Sequence, residues 1–340
     1  MFTSRSRAFA LAGTLAVVLA ACSGSATPTP AAPSPTPAPS VAANVAPAAS
    51  PSPEASPSPS AAPSPSAAPA ASTIAVPASE LIFSGKLVIC SDIPYPPQEF
   101  FDSSGNATGS DIDIGTEIAR RLGLTAQVQN SVFDTIIAAL QGGKCDVVIS
   151  AQNITSDRIK QVDMIPFFQA GQSFVVAKGN PKGITSTDSL CGLNIAAETG
   201  TTEINYLQGT GDYKGSGLTQ ACTKAGKPAI NAKEFEKDSD ALLALQAGQT
   251  DAYFADSPVA GYYTVQHADQ FDLAPVPPLQ PALEGISVAN DAGHKDLVTA
   301  VQAALVSMIN DGTYLQILTK YGDQSGAITA DVAGQLNKVQ

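Results

Sequence analysis

The sequence predicts an α/β protein of two lobes, each a mostly parallel sheet with flanking helices. Three observations carry this. Strand-like apolar runs alternate with helical patterns from Lys86 to Ser150, and the alternation restarts after Gly171. The run Asp146-Val147-Val148-Ile149-Ser150 also lacks the polar alternation of a one-sided strand, as expected of a strand covered on both faces.

Lys86-Leu87-Val88-Ile89-Cys90 reads as the first buried strand, followed by the stiff turn Ile93-Pro94-Tyr95-Pro96-Pro97. Ile114, Ile118 and Leu122 recur at four-residue spacing and predict a helix that Gly123 stops. Val128 opens a second strand. Ile136, Ile137 and Leu140 mark another helix, stopped by Gly142-Gly143, and 146–150 is the third strand. The second lobe starts with strands at 173–177 and 193–197 and a helix from about Thr202. It continues through an amphipathic helix with Ala241, Leu242, Leu245 and Ala247, a strand at 251–255, and Ser257-Pro258-Val259, whose proline suits the first turn of a helix. Beyond the prolines of 275–281 come a strand at 285–289, a helix with Leu297, Val301, Leu305 and Met308 on one face, and a last helix over Thr313–Tyr321.

The N-terminal part has another character. Arg5 and Arg7, an apolar stretch from Ala8 to Leu19 and small residues before a cysteine make residues 1–22 an export signal. Its end, Leu19-Ala20-Ala21-Cys22, resembles a bacterial lipobox, which implies a lipid anchor at Cys22. Fourteen of the 26 prolines fall between Ser23 and Ser72, among Ala, Ser and Thr. Such small side chains cannot offset the ~1–2 kcal/mol per residue of backbone ordering, so residues 23–80 are expected to be a disordered Pro/Ala/Ser-rich tether. The folded domain is thereby expected outside the cytoplasmic membrane, attached to it through Cys22.

Charge and motifs exclude several functions. With 18 basic against 30 acidic residues the net charge is −12, and no basic run exists to neutralise phosphates, so no nucleic-acid partner is expected. No stretch after residue 22 approaches the ~18 apolar residues of a membrane span. A G-x-S-x-G elbow is missing, and Gly209-Thr210-Gly211 completes neither a dinucleotide fingerprint nor a P-loop. Without CxxC, and with His267 and His294 isolated, no metal site and no cofactor are expected.

Four cysteines besides Cys22 allow three pairings. Cys191 and Cys222 both lie in loop-like surroundings and are expected to bridge. Cys90 ends one strand and Cys145 begins another; if those strands are parallel neighbours, the thiols sit at opposite ends, beyond the ~7 Å reach of a disulfide.

Five segments resemble the extracellular solute-binding protein family 3, the receptors of polar amino acid ABC importers. They are Asp92-Ile93-Pro94-Tyr95-Pro96-Pro97-Gln98-Glu99-Phe100, Gln152-Asn153-Ile154-Thr155-Ser156-Asp157-Arg158, Gly200-Thr201-Thr202-Glu203, Ala255-Asp256-Ser257-Pro258-Val259-Ala260 and Asp311-Gly312-Thr313-Tyr314, in family order. The resemblance implies a periplasmic-binding-protein (flytrap) fold with a two-segment hinge. Lobe 1 would comprise 81–175 and 285–328, lobe 2 would be 178–281, and 329–340 a C-terminal tail. It also implies a monomeric, non-catalytic receptor of an amino acid, partnered by an ABC transporter permease. Two alternatives stay open: an enzyme like the cyclohexadienyl dehydratases on this scaffold, which needs a proton donor and a second cationic grip, and a sensory receptor.

Site residues follow from matching positions. Arg158, expected in the first turn of a helix opened by Thr155, takes by resemblance the family's role of gripping the ligand carboxylate; local sequence alone favours a solvated surface arginine beside Asp157. Gly200-Thr201-Thr202 can hold that carboxylate from the other lobe through helix N-terminal N–H groups, or be a simple capping turn. Asp256, at the end of a strand, is the implied partner of the α-ammonium or an N-cap. Tyr95 and Phe133 match the aromatic walls, Asp92 and Glu198 side-chain contacts, and Ser150, Ala151 and Asn153 a pocket-lining run. Asn153 departs from the hydroxyl residue usual there. Acids in excess around one arginine favour a cationic or polar ligand side chain.

Overall fold

The computed structural model describes residues 75–340. The export signal, Cys22 and the tether as far as residue 74 lie outside the described residues. Strands are β1 (Lys86–Ser91), β2 (Phe100–Phe101), β3 (Ala107–Thr108), β4 (Thr125–Asn130), β5 (Val147–Val148), β6 (Val162–Ala177), β7 (Asn194–Glu198), β8 (Asn231–Phe235), β9 (Ala252–Asp256), β10 (Phe271–Leu273) and β11 (Leu279–Ala289). Helices are α1 (Ser110–Arg121), α2 (Ile136–Gln141), α3 (Thr202–Gln208), α4 (Leu218–Lys224), α5 (Asp238–Gln246), α6 (Ser257–Gln266), α7 (Lys295–Asp311), α8 (Thr313–Tyr321) and α9 (Ala330–Ala333).

The main sheet runs β4-β1-β5-β11-β6-β9-β7-β8, with β10 added beside β6. In lobe 1 the strands β4, β1 and β5 are parallel; in lobe 2 so are β8, β7 and β9. Between these triplets lie the long strands β6 and β11, antiparallel to each other and passing through both lobes. They are the two hinge segments. Sequence analysis finds only their ends, at 173–177 and 285–289. Pro166, Gly171 and Pro281 break the apolar run of each, and strands of 16 and 11 residues exceed the usual length. The crossing is tight: a Cβ on Gly171 would stand 2.9 Å from Pro278 Cβ, so only glycine lets the strands approach there. The β6–β11 register shifts between Leu279 and Ala282 and again between Glu284 and Gly285, two bulge-like irregularities that bend the strand pair locally.

Periodicity places the helices well. Ile114 and Ile118 of α1, and Leu297, Val301, Leu305 and Met308 of α7, are fully buried in one core with β1, β5 and the first half of β6. Truncating such a residue, Ile118→Ala for example, costs ~2–5 kcal/mol by lost transfer and cavity terms. Lobe 2 holds two smaller clusters, one on each face of its sheet.

Two expectations are corrected here. Cys90 and Cys145 are joined in a disulfide, with Cα atoms 5.7 Å apart. Register pairs Ile89 with Val147, so an extended Cys145 would fall three residues, ~10 Å, below Cys90. However, β5 starts only at Val147, and Cys145 follows a turn in which Lys144 N–H donates to Ala139 O, so the chain brings it up beside Cys90 instead. The expected Cys191–Cys222 bridge is present, with Cα atoms 5.6 Å apart. The tether, expected to reach residue 80, also ends earlier. Val76 packs on the lobe 1 core, and the Glu80 carboxylate accepts the Leu297 N–H at 2.7 Å, satisfying a free donor in the first turn of α7. At the other terminus α9 packs on the same lobe, and Asn337 exchanges backbone and side-chain hydrogen bonds with Met164 of β6.

Candidate functional site

Most strand and helix junctions of the two lobes that face each other bring the sequence-predicted residues around one cavity. Asp92, Tyr95, Phe133, Ser150, Ala151 and Asn153 come from lobe 1, and Glu198, Thr201, Thr202 and Asp256 from lobe 2. Pro94, Glu99 and Glu203 complete its lining. The free space left is about 10 Å³, roughly that of one water molecule. A ligand larger than a water molecule therefore enters only when the lobes part. A larger groove of about 670 Å³ runs past Tyr262, Tyr321 and Pro278, but it holds none of the predicted residues.

Local sequence explains each position. Proline-started α6 follows β9 directly, which leaves Asp256 at the strand's end, buried and facing lobe 1. Thr201 caps α3 by accepting the Ile204 N–H, and its hydroxyl donates to Glu198 O at 2.6 Å, tying the end of β7 to the helix start. Ala151 has φ +44°, a left-handed conformation costing an L-residue ~1–2 kcal/mol. Its N–H is held by the Asp111 carboxylate at 2.9 Å, which turns the chain so that Ser150 and Ala151 both line the cavity.

Cross-lobe bonds close the cleft. Tyr95 Oη donates to Asp256 Oδ2 at 3.0 Å and accepts the Asp256 N–H at 3.0 Å. The Thr202 hydroxyl donates to Asn153 Oδ1, so asparagine supplies the oxygen where the family usually has a hydroxyl.

Arg158 stands apart from the ten. It borders the cavity without lining it: its guanidinium donates to Asn153 O at 2.8 Å and Gly200 O at 3.0 Å and lies 5.3 Å from the centre of the Phe133 ring. The helix expected at Thr155 is one 3-10 turn, Arg158–Lys160, which the Thr155 hydroxyl opens by accepting the Arg158 N–H at 3.2 Å. A single turn carries little dipole, so the cation needs less compensation than expected. Desolvation draws its pKa down to about 10, against the pull of Glu203 and Asp256, and it stays charged at neutral pH.

Acidic side chains are plentiful beside Arg158, and burial favours their protonated forms. Burial raises the pKa of Asp92, Glu203, Glu99 and Asp256, the last two well above the carboxylate range. Burial, with Asp238 and Asp92 adding repulsion, pushes Glu198 up to about 10. Buried oxygens Glu99 Oε2, Glu203 Oε1 and Asp256 Oδ1 have no hydrogen-bond partner. A ligand with several N–H donors satisfies them; an anionic side chain does not.

Glu99 and Glu203 were missed as site residues. Glu203 stands in the first turn of α3, where an acid reads as helix-dipole compensation. Glu99 is fixed by the Ser150 hydroxyl, which donates to its Oε1 at 2.8 Å, a contact that exists only once β1 and β5 are paired. Its one sequence signal is the polar Gln98-Glu99 pair between prolines and Phe100-Phe101.

Known proteins share this architecture. The profile described as bacterial extracellular solute-binding proteins, family 3, matches residues 87–324. An arginine-binding protein, ArgT, of Corynebacterium glutamicum is 28% identical over 244 residues, 72% of this chain and 76% of that protein. An ancestral arginine-binding protein, solved with arginine and also with glutamine, is 33% identical, with a TM-score of 0.61 over 70% of this chain and 98% of that one. The ancestral amino acid-binding protein AncCDT-1, a precursor of cyclohexadienyl dehydratase, is 30% identical, with a TM-score of 0.58 over 70% of this chain and 95% of that one.

Proposed function

The chain belongs to the bacterial extracellular solute-binding proteins, family 3, and from that premise we propose that it captures a free amino acid between its lobes and hands it to an ABC importer permease. It acts as a monomeric receptor without catalysis, held at the outer face of the membrane by lipid on Cys22 and the tether that follows. Among the described residues no helix is long and apolar enough to cross a membrane. Arg158 grips the ligand carboxylate together with the Thr201 and Thr202 end of α3, Asp256 takes the α-ammonium, and Tyr95 and Phe133 enclose the side chain. The parts that move are 81–175 with 285–328 against 178–281.

The observation that carries the reading is the acid-lined cleft: five carboxyl side chains and no basic one line the cavity, with Arg158 at its border. Arginine, lysine, ornithine and histidine rank first, glutamine next, glutamate and aspartate last. The arginine- and glutamine-bound relative supports the top of that order. A dehydratase needs a second cationic grip for a dicarboxylate, and the cavity lining offers none.

A thermal-shift screen of the full chain against amino acids and polyamines tests this. A ligand at ~100 times its Kd adds ~2.7 kcal/mol, so arginine is expected to raise Tm by several degrees. If no amino acid shifts Tm, or glutamate outcompetes arginine, the reading is wrong.

A further inference from the structure

Glu284 stands on the hinge strand β11 and is fully buried. A carboxyl group shut off from water is costly to keep, and this one has a single side-chain tie among the described residues. Its Oε2 accepts the Gln98 Nε2–H at 2.6 Å, while Oε1 has no partner. A leucine would fill such a place without stranding an oxygen. The acid is explained by what it joins.

Two lines of contact start from this residue, and each reaches the cleft. Through its side chain it holds Gln98, part of a turn in which the Gln98 and Glu99 N–H groups donate to Tyr95 O, at 3.1 Å each, and the Tyr95 N–H donates to Glu99 O at 2.6 Å. That turn sets Tyr95, whose hydroxyl meets Asp256 of lobe 2. Through its backbone Glu284 pairs antiparallel with Asn153, and the pairing is flanked by Ile154 N–H donating to Leu283 O at 2.7 Å and Gly285 N–H donating to Gln152 O at 2.8 Å. Asn153 in turn receives the Thr202 hydroxyl on its side chain and the Arg158 guanidinium on its carbonyl. The two cross-lobe bonds that close the cleft, Tyr95 to Asp256 and Asn153 to Thr202, thus trace back to one hinge residue. The strand pair is also irregular at this residue: the register shifts between Glu284 and Gly285, where a Cβ on Gly285 would stand 2.8 Å from Ile154 Cγ1.

Resting on the amino acid receptor reading above, we infer that Glu284 is a positioning residue for ligand capture, locking the bend of the hinge to the Tyr95 turn and to Asn153 so that both cross-lobe bonds are in register when the lobes meet. It touches no ligand. Its effect is pre-organisation: contacts ordered in advance cost little at closure, whereas loosened ones must be ordered at the expense of affinity. Burial, with repulsion from Asp256 and Asp111, and from Asp323 further down the order, raises the pKa of Glu284 well above the carboxylate range, so the tie is made by an uncharged acid.

Calorimetric titration of the full chain with L-arginine, beside thermal unfolding of the ligand-free chain, tests this. Glu284→Gln keeps the shape, the lack of charge and an oxygen to accept the Gln98 N–H, so its Kd is expected within about twofold of the unaltered protein. Glu284→Leu has no acceptor and is expected to weaken arginine about tenfold, as for the loss of one buried hydrogen bond. Gln98→Leu removes the same bond from the other side and is expected to match it. The double variant should bind no more weakly than the weaker single, because one link is broken once. A merely structural role lowers the Tm of the ligand-free chain and leaves Kd unchanged. That result in either leucine variant overturns the inference, as do additive losses in the double variant or a Glu284→Gln as weak as Glu284→Leu, and each leaves the receptor reading intact. If Glu284→Leu does not fold, Gln98→Leu and Glu284→Gln decide between them. Failure of the unaltered chain to bind arginine overturns the receptor reading and this inference with it.

Discussion

Lobe 1 and lobe 2 fill their interiors differently. Lobe 1 has one continuous core, from β1 and β5 through β6 to α7 and α8, with no side chain from residues 178–281 in it. Lobe 2 divides its apolar residues between the two faces of its sheet, and the cluster on the α5 and α6 side, around Tyr253, Val259 and Leu242, takes in Tyr95 and Ala151 from lobe 1. The cleft-facing side of lobe 2 is therefore completed only by closure. On the proposed receptor reading, ligand capture and the packing of lobe 2 are one event, whereas lobe 1 is a preformed platform.

The comparison can be tested from the largest effect down. Arg158 belongs to the platform yet reaches the Gly200 carbonyl of lobe 2. Arg158→Ala is expected to weaken arginine binding by ~2–5 kcal/mol with little loss of fold stability, because the ligand carboxylate loses its cation. Unchanged calorimetric affinity would sink the role assigned to it.

Each lobe is also braced by one disulfide, over sequence separations of 55 and 31 residues. On the chain-entropy model, replacing Cys90 and Cys145 by alanine costs roughly 4 kcal/mol, and replacing Cys191 and Cys222 roughly 3.5. Denaturant titration followed by hydrogen exchange should show each loss confined mainly to its own lobe. Equal loss of protection in both lobes from either pair would erase the distinction drawn above.

Tyr95→Phe removes the hydroxyl that holds Asp256 by two hydrogen bonds in the closed cleft. The expected cost is ~1–2 kcal/mol, felt in affinity and in hydrogen-exchange protection of the Tyr253 region, with the lobe 1 core unaffected. Protection lost equally in lobe 1 would show that its core is not independent of closure.

Spread over several groups rather than one contact is the pH response, which both lobes should share. Burial raises Asp111 in lobe 1 and Asp238 in lobe 2 to about 7, and Asp323 to about 6. Ordinary unfolded aspartates titrate near ~4, so between there and ~7 the folded protein binds more protons than the unfolded chain, and stability falls as pH rises. Tm is expected to be several degrees higher at pH 5 than at pH 8, because each of these groups contributes up to ~1.4 kcal/mol per pH unit while it stays protonated in the fold and ionised in the unfolded chain. Scanning calorimetry across that range checks it. A rising Tm would mean these acids are ionised in the fold.

How much of this was legible beforehand follows from which contacts are local. Four-residue spacing finds the buried faces of α1 and α7, and Thr313–Tyr321 is read at its full length, because glycines stand at both its ends. The hinge strands were half-seen, since a strand interrupted by proline and glycine shows no continuous apolar run. β8 was missed altogether: Asn231–Phe235 exposes most of its residues at the sheet edge and carries no apolar pattern. In the site, the residues matched to the family's pocket positions converge on one cavity except Arg158, which borders it. Glu99 and Glu203 escaped because a glutamate's burial is decided by what docks against it. The Cys90–Cys145 bond escaped because a turn one residue before a strand sets which sheet level the cysteine reaches.

Both bonds join cysteines that are neighbours in chain order among the four. For a chain threaded through a membrane N-terminus first, order of arrival is then order of pairing. With Cys22 lipidated as proposed, Cys90 meets Cys145 on the far side before Cys191 has emerged, and Cys191 in turn has a single unoccupied thiol to wait for. Such a protein needs an oxidant outside the cell but little reshuffling of its cross-links, so its maturation should tolerate a compartment poor in disulfide isomerase.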